Sequence, residues 1–242
     1  MTHQIQTNSD PFRRANRISL VLVGISILVL PLVWAMLPDG QWPIHWDLQG
    51  NVNGYGGRGM AVAALSIMAL TMLSLHALFW WLPRLEGLRD SLRQSTRAYA
   101  AVWIATMGFL LVMHVATVWL MWHLASRSGA TMPLDLTDNF LRWVCVAVGG
   151  LFAVIGNLFG KIRHNAVFGI RTPFTLTSRR AWERTHRVGG PLFVVTGVLM
   201  IVVALVKPTA AIVTITVLPL VLVLGLTVYS YRIWKTDPDR MG

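Results

Sequence analysis

The sequence predicts an all-α integral membrane protein: a bundle of six transmembrane helices with both termini in the cytoplasm. Three observations support this fold class. Of the 242 residues, 55% are hydrophobic and only 13% are charged, whereas soluble globular proteins carry about 25% charged residues. Six segments approach or exceed the roughly 20 apolar residues that a spanning helix needs. The basic residues are concentrated in alternate connections between these segments.

The six predicted helices form a single membrane domain, residues 18–233, between cytoplasmic tails at 1–17 and 234–242. The first apolar segment is too long for the apolar region of a cleaved signal peptide, and no A-x-A site follows it, so we interpret it as a retained anchor. The predicted helices cover about residues 18–37, 60–82, 98–125, 139–160, 191–206 and 210–233.

The distribution of charge predicts the orientation of the bundle. Seventeen of the 21 Lys and Arg residues lie in the two tails, at the inner end of the last helix, in the connection between the second and third helices, or in the connection between the fourth and fifth. Such positively charged connections stay on the cytoplasmic side of the membrane. We therefore expect the net charge of +11 to reflect orientation and contact with the lipid bilayer, and we expect no direct binding of nucleic acid.

The apolar segments contain few residues suited to chemistry. All ten Asp and Glu residues lie outside their central parts, which disfavours an ion-coupled transporter. His76 and His114 are expected to be hydrogen-bonded core residues at different depths, and Cys145 is the single cysteine. Because no catalytic motif or Cys/His cluster occurs, we predict no enzymatic activity, no cofactor and no metal.

Two residue pairs at or within the predicted fourth helix indicate packing interactions. Arg142 follows Asp138 by four residues, a spacing that places both on one helix face, and we expect a structural ion pair at the outer interface. Gly156 and Gly160 form a GxxxG pattern, which permits close contact between membrane helices.

The loop at residues 38–59, between the first two helices, is rich in glycine, tryptophan and proline. Glycine permits tight turns, while the aromatic residues predict a compact loop on the outer membrane face. Within this loop, His45 and Asp47 have two interpretations. They bind a cation or a peptide, or they hold the loop together by hydrogen bonds; we favour the hydrogen-bonding role.

The connection between the fourth and fifth helices is long and strongly basic. Ser178 is a good N-cap residue for a short interfacial helix that extends to about Arg187. We expect Trp182 in this helix to face the membrane interface and the arginines to face phosphates or the cytoplasm. The segment either sets the topology or docks a cytoplasmic protein, and its composition does not distinguish these roles.

Each of these two loops contains a distinctive set of residues. In the outer loop the set is Pro43, His45, Gly50, Asn53, Gly54, Tyr55 and Gly56. In the inner connection it is Gly156, Asn157, Gly160, Lys161, Arg163, Asn165, Gly169, Ile170, Arg171, Thr172, Pro173, Thr175, Leu176, Trp182, Thr185, His186, Arg187, Gly189 and Gly190. At these two sets of residues the sequence resembles the SdpI-type membrane immunity proteins. Phe174 departs from the tryptophan associated with the family, but an aromatic residue is retained.

This resemblance implies a multi-pass protein of the bacterial inner membrane that protects against a secreted, membrane-active peptide toxin. It further implies a sensor role, in which the toxin is met on the outer side and a cytoplasmic transcriptional repressor is held at the membrane. Two alternatives remain. One is a small transporter or permease for peptide or lipid, and the other is a membrane enzyme that uses His45 and Asp47.

Overall fold

The structure, a computed structural model, describes residues 10–46, 52–85, 88, 92, 94–125 and 134–240. Within these ranges six helices are long and apolar enough to cross a membrane, which confirms the predicted all-α fold with six transmembrane helices. The elements include α1 (Asp10–Met36), β1 (Trp42–Trp46), β2 (Val52–Gly56), α2 (Arg58–Trp81), α3 (Thr96–Ala125), α4 (Leu134–Phe159), α5 (Pro173–Thr177), α6 (Arg179–Val206) and α7 (Ala211–Lys235).

The six long helices form two groups of three. Helices α1, α2 and α3 pack against one another, and α4, α6 and α7 form the second group, in which α4 and α6 make the most extensive contact. The groups meet mainly where α3 packs against α4. At one end of the first group, the β1–β2 hairpin covers the helices, and Trp42 is buried there against Val33 and Leu65.

Helix α1 begins eight residues earlier than the predicted spanning segment, because its first turns also have a buried face. Phe12 and Ala15 belong to the core of the first helix group, and the Phe12 ring meets the Trp103 ring edge-on, with 5.5 Å between centroids. Arg13 and Arg14 lie on the exposed side of the same turns.

The expected short interfacial helix from Ser178 to about Arg187 is not a separate element. Ser178 does cap a helix, since its hydroxyl accepts a hydrogen bond from the Ala181 N–H, but that helix, α6, continues through Pro191 to Val206. The prediction that Trp182 faces the membrane interface is also wrong. Its side chain is only 1% exposed, because the preceding loop folds over this part of α6.

The contact between α4 and α6 depends on glycines that lie opposite one another. A Cβ atom on Gly156 would lie 2.6 Å from the Gly190 carbonyl oxygen, and one on Gly197 would lie 2.3 Å from the Gly149 carbonyl oxygen. These glycines therefore allow backbone-to-backbone approach. Gly156 takes part as the GxxxG pattern predicted, but Gly160 does not, since a Cβ there would meet nothing within 4 Å.

The two predicted core histidines differ in their hydrogen bonding. His76 confirms the prediction: its Nδ1 lies 2.9 Å from the Ser19 hydroxyl, which also accepts a hydrogen bond from the Trp103 indole at 3.0 Å. His114 is fully buried, yet neither of its ring nitrogens has a partner among the described residues. The expectation of a satisfied His114 was therefore wrong. The expected pair of Asp138 with Arg142 involves a side chain outside the described part of the chain.

Candidate functional site

The inner motif is assembled around Trp182 and His186, one turn apart on α6. The Trp182 indole N–H donates to the Ile162 carbonyl at 3.2 Å, and its ring stacks on His186 with 4.1 Å between centroids. The His164 ring meets Trp182 edge-on at 5.0 Å. These contacts fix the loop after α4 against the first turns of α6.

His186 uses both ring nitrogens to hold this loop. Nδ1 lies 2.9 Å from the Trp182 carbonyl oxygen, and Nε2 accepts a hydrogen bond from the Ile170 backbone N–H at 2.9 Å. Because Nε2 is an acceptor and Nδ1 faces a carbonyl, the geometry selects the tautomer that carries its hydrogen on Nδ1. His186 therefore serves as a structural bridge and has no free nitrogen for proton transfer.

Gly169 is required where the loop passes over this pair of rings. Its φ is +119°, in the region that favours glycine. A Cβ at this position would lie 2.5 Å from His186 Nε2. The backbone thus approaches the histidine so closely that any larger residue would displace one of the two.

Asn165 and Thr172 organise the two ends of the loop. The Asn165 side chain is 2% exposed, donates to the Arg163 carbonyl and accepts the N–H groups of Val167 and Phe168 at 2.8 and 2.9 Å. Thr172 caps α5 in a reciprocal capping box, with Pro173 at the first helical position. This local structure follows from sequence patterns that favour turns and helix starts.

Helix α7 and the residues that follow it close the motif from the other side. The Thr172 hydroxyl lies 3.0 Å from the Ser230 hydroxyl, and the Phe174 ring packs against Tyr231 with 5.0 Å between centroids. Ser178 donates a hydrogen bond to Asp237 at 2.5 Å. Ser230 and Asp237 were not foreseen, because they lie more than fifty residues further along the chain and no local pattern connects them to the loop.

The motif divides into a buried part and an exposed part. Asn165, Thr172, Trp182, Thr185 and His186 are buried, and the Thr185 hydroxyl has no hydrogen-bond partner among the described residues. The exposed members either line a cleft of about 950 Å³ or lie on the surface outside its lining, where a ligand or partner would meet them. They are Asn157, Lys161, Arg163, Arg171, Pro173 and Arg187.

The outer motif forms the β1–β2 hairpin at the opposite end of the bundle. His45 Nδ1 lies 2.5 Å from the Asn53 side-chain oxygen across the strands, and both residues are exposed. Gly54 faces His45, since a Cβ there would lie 2.9 Å from the His45 Cβ. Pro43 pairs with Tyr55 in the strand register.

Tyr55 and Gly56 are adjacent in the hairpin but have different environments. The Tyr55 side chain itself is 41% exposed, whereas Gly56 is buried against Met60 at the start of α2. Asp47 and Gly50, which the sequence also placed in this motif, lie outside the described residues. The hairpin thus combines a backbone packed on the helices with exposed polar and aromatic side chains.

Two comparisons with known proteins bear on this arrangement. Residues 161–231, which contain most of the inner motif, match the SdpI/YfhL protein family. Over these residues the chain is similar to the SdpI family. The immunity protein SdpI of Bacillus subtilis (strain 168) is 22% identical over 226 residues, which cover 92% of this chain and 97% of that protein.

The predicted resemblance to SdpI-type immunity proteins is therefore confirmed, and so is the prediction of a multi-pass bacterial membrane protein. No solved structure matches the chain significantly. The family match includes the loop, α5, α6 and most of α7, and so corresponds to the part of the molecule in which the buried network connects distant segments.

Proposed function

We propose that this protein is a non-enzymatic membrane immunity and sensor protein that gives resistance to a membrane-active antimicrobial peptide. The observation that carries the proposal is the likeness to the immunity protein SdpI over 92% of the chain. The separation of the two motifs supports it. One is a hairpin with exposed polar and aromatic side chains at one end of the bundle. The other is a basic surface at the opposite end, formed by Lys161, Arg163, Arg171 and Arg187 around the hydrogen-bonded inner loop.

In this proposal the toxin meets the outer hairpin and the inner motif transmits the signal to a cytoplasmic repressor. Such signalling requires a ligand that binds two conformations with different affinity. The inner loop touches both helix groups, since the Arg163 N–H donates to the Ser95 hydroxyl at 2.9 Å and the Phe168 ring packs on Tyr99 at 5.6 Å. A shift between the groups would therefore move the basic surface.

The immunity role is tested by survival of a deletion strain and its complemented twin against a panel of membrane-active peptides. We expect complementation to restore survival against one peptide class. Equal survival of both strains across the whole panel would contradict immunity. Protection that disappears when the proton gradient is collapsed, while the protein is still expressed, would favour a transporter.

The sensor role is tested separately with exposed arginines of the inner motif. We expect Arg171→Ala combined with Arg184→Ala to abolish peptide-dependent induction of a reporter on the protein's own promoter while protection remains. Lys235→Ala removes an exposed charge outside the motif and serves as the control. Unchanged induction in the double variant would contradict repressor docking, and lost protection would show that the segment does more than anchor the protein.

A further inference from the structure

A polar cleft lies between the end of α4 and the start of α6. This inner cleft has a volume of about 950 Å³. Its floor contains residues without bulky side chains, among them Gly156, Gly160 and Gly190, with Pro191 beside them. Because a Cβ on Gly160 would meet nothing within 4 Å, there is open space directly against the backbone.

The charged side chains of the inner cleft favour an anion. Arg163 and Arg187 line it, and within the described part of the chain neither guanidinium has an ion pair or hydrogen bond with the protein. Glu183 also lines the cleft, but its carboxylate is paired with Arg179 at 3.7 Å. Asp239 is the second carboxylate of the lining and opposes anion binding.

The surroundings of the cleft favour an amphiphile over a soluble anion. Immediately beyond Pro191 on α6, Leu192 and Val195 are 42% and 54% exposed. These apolar side chains belong to a membrane-spanning helix, so they face acyl chains. A ligand with an anionic head and an apolar tail would contact both the arginines and this surface.

We propose that the inner cleft binds the phosphate headgroup of an anionic phospholipid, with the acyl chains on the exposed apolar surface of α6. Arg163 and Arg187 would donate charge-assisted hydrogen bonds to the phosphate oxygens, and Asn157 offers a further exposed donor. Basic pockets between transmembrane helices are a recurring type of lipid headgroup site. Arg171 and Arg184 do not line the cleft, so lipid binding and repressor docking use different residues.

The test measures binding of three probes to the purified full-length protein in a neutral detergent. They are phosphatidylglycerol, phosphatidylcholine with the same acyl chains, and inorganic phosphate, and bound lipid is counted by mass spectrometry of the intact complex. We expect selective binding of phosphatidylglycerol. The double variant Arg163→Gln with Arg187→Gln loses the two phosphate contacts. We expect its affinity for phosphatidylglycerol to be lower than that of the parent protein by about tenfold or more.

The matched control is Arg180→Gln with Arg184→Gln, which removes the same charge from neighbouring turns outside the cleft. We expect it to change the affinity less than about twofold, as for a screened surface charge. Asp239→Asn should tighten binding because it removes the opposing carboxylate. Equal weakening by both arginine pairs would overturn the proposal in favour of diffuse attraction, and phosphate binding as tight as phosphatidylglycerol binding would overturn the lipid assignment.

A second variant tests the shape of the site without altering any charge. Gly160→Phe would place a ring in the open space of the cleft, and a normal size-exclusion profile would show that the protein still folds. We expect this variant to lose phosphatidylglycerol selectivity while it keeps every arginine. Undiminished binding in Gly160→Phe would overturn the proposal even if the arginine variants proved unstable.

Discussion

At the residue scale, the inner loop is built from a few side chains that satisfy backbone polar groups close to the membrane. Asn165 accepts two N–H groups, His186 accepts a third from Ile170, and Trp182 donates to the Ile162 carbonyl. An irregular segment near the bilayer must pair such groups within the protein, because lipid offers no hydrogen bonds. The need to pair these backbone groups therefore explains why the motif contains these residues, without any role in binding.

Substitution of Gly169 tests whether the inner loop depends on its close approach to His186. We expect Gly169→Ala to destabilise the protein by about 1–3 kcal/mol, because its positive φ and its closeness to His186 both oppose a side chain. Thermal unfolding in detergent measures the effect. Gly160→Ala is the control, since its Cβ would have open space; a similar loss of stability in both variants would contradict the explanation.

Asp237 makes stability depend on pH at the start of α6. The hydrogen bond from Ser178 holds the pKa of Asp237 below its ordinary value, and Arg180 and Arg240 act in the same direction. A carboxyl group whose pKa is lower in the folded state stabilises the protein above the unfolded pKa, and this stabilisation is lost as the pH falls through the folded value.

We therefore expect Asp237→Asn to lower the melting temperature at pH 7, with the difference from the parent protein shrinking as the pH falls below about 3.9. Asp39→Asn is the control, because the Asp39 side chain is 89% exposed and its pair with Arg58 contributes little. A difference for Asp237→Asn that stays constant from pH 7 to pH 3 would contradict this assignment.

At the element scale, α4 and α6 pack through two glycine contacts seven residues apart on each helix. Gly149 faces Gly197 and Gly156 faces Gly190, so the helices approach at both levels. Aromatic side chains fill the space between these levels, where Phe152 stacks on Phe193 with 5.2 Å between centroids. The close approach holds the start of α6 beside the loop that it supports.

This packing predicts opposite effects for two glycines on neighbouring surfaces. Gly197→Ala should destabilise the protein by about 1–3 kcal/mol, as overpacking does, because the new methyl group would meet the Gly149 carbonyl. Gly150→Ala, with nothing within 4 Å, should stabilise it by about 0.5–1 kcal/mol through helix propensity. Thermal unfolding of both variants checks the signs, and stabilisation by Gly197→Ala would refute the close contact.

At the scale of the whole molecule, the two helix groups place the hairpin and the basic cleft at opposite ends. The hairpin packs on the first group, and the cleft lies within the second. The loop after α4 reaches across to the first group through Ser95 and Tyr99. A signal that passes from the hairpin to the basic surface would therefore have to cross this contact.

The orientation of the molecule remains a prediction from its charges, and thiol labelling tests it. Cys145 is fully buried, so the parent protein should give little background with a membrane-impermeant reagent. We expect Tyr55→Cys to react in intact cells, since the hairpin should face outward. Arg171→Cys should react only after the membrane is permeabilised. The reverse pattern would show that the termini lie outside.

The membrane class, the six spanning helices and the similarity to SdpI were all predictable from the sequence. Hydropathy depends on composition within single segments, and the two loop motifs are continuous in the chain. Several local features were also predictable, such as the Ser178 cap. The continuity of α6 was missed because Pro191 and the paired glycines before it resemble a helix start.

The division of the motif into residues that support the fold and residues that remain exposed depends on contacts between distant segments. The local sequence predicts that Trp182 lies at the membrane interface. Its burial depends on the loop after α4, which folds back over it. The contacts of Thr172 with Ser230 and of Ser178 with Asp237 join segments more than fifty residues apart. Such pairings follow from the packing of helices in three dimensions, and no periodicity along the chain reports them.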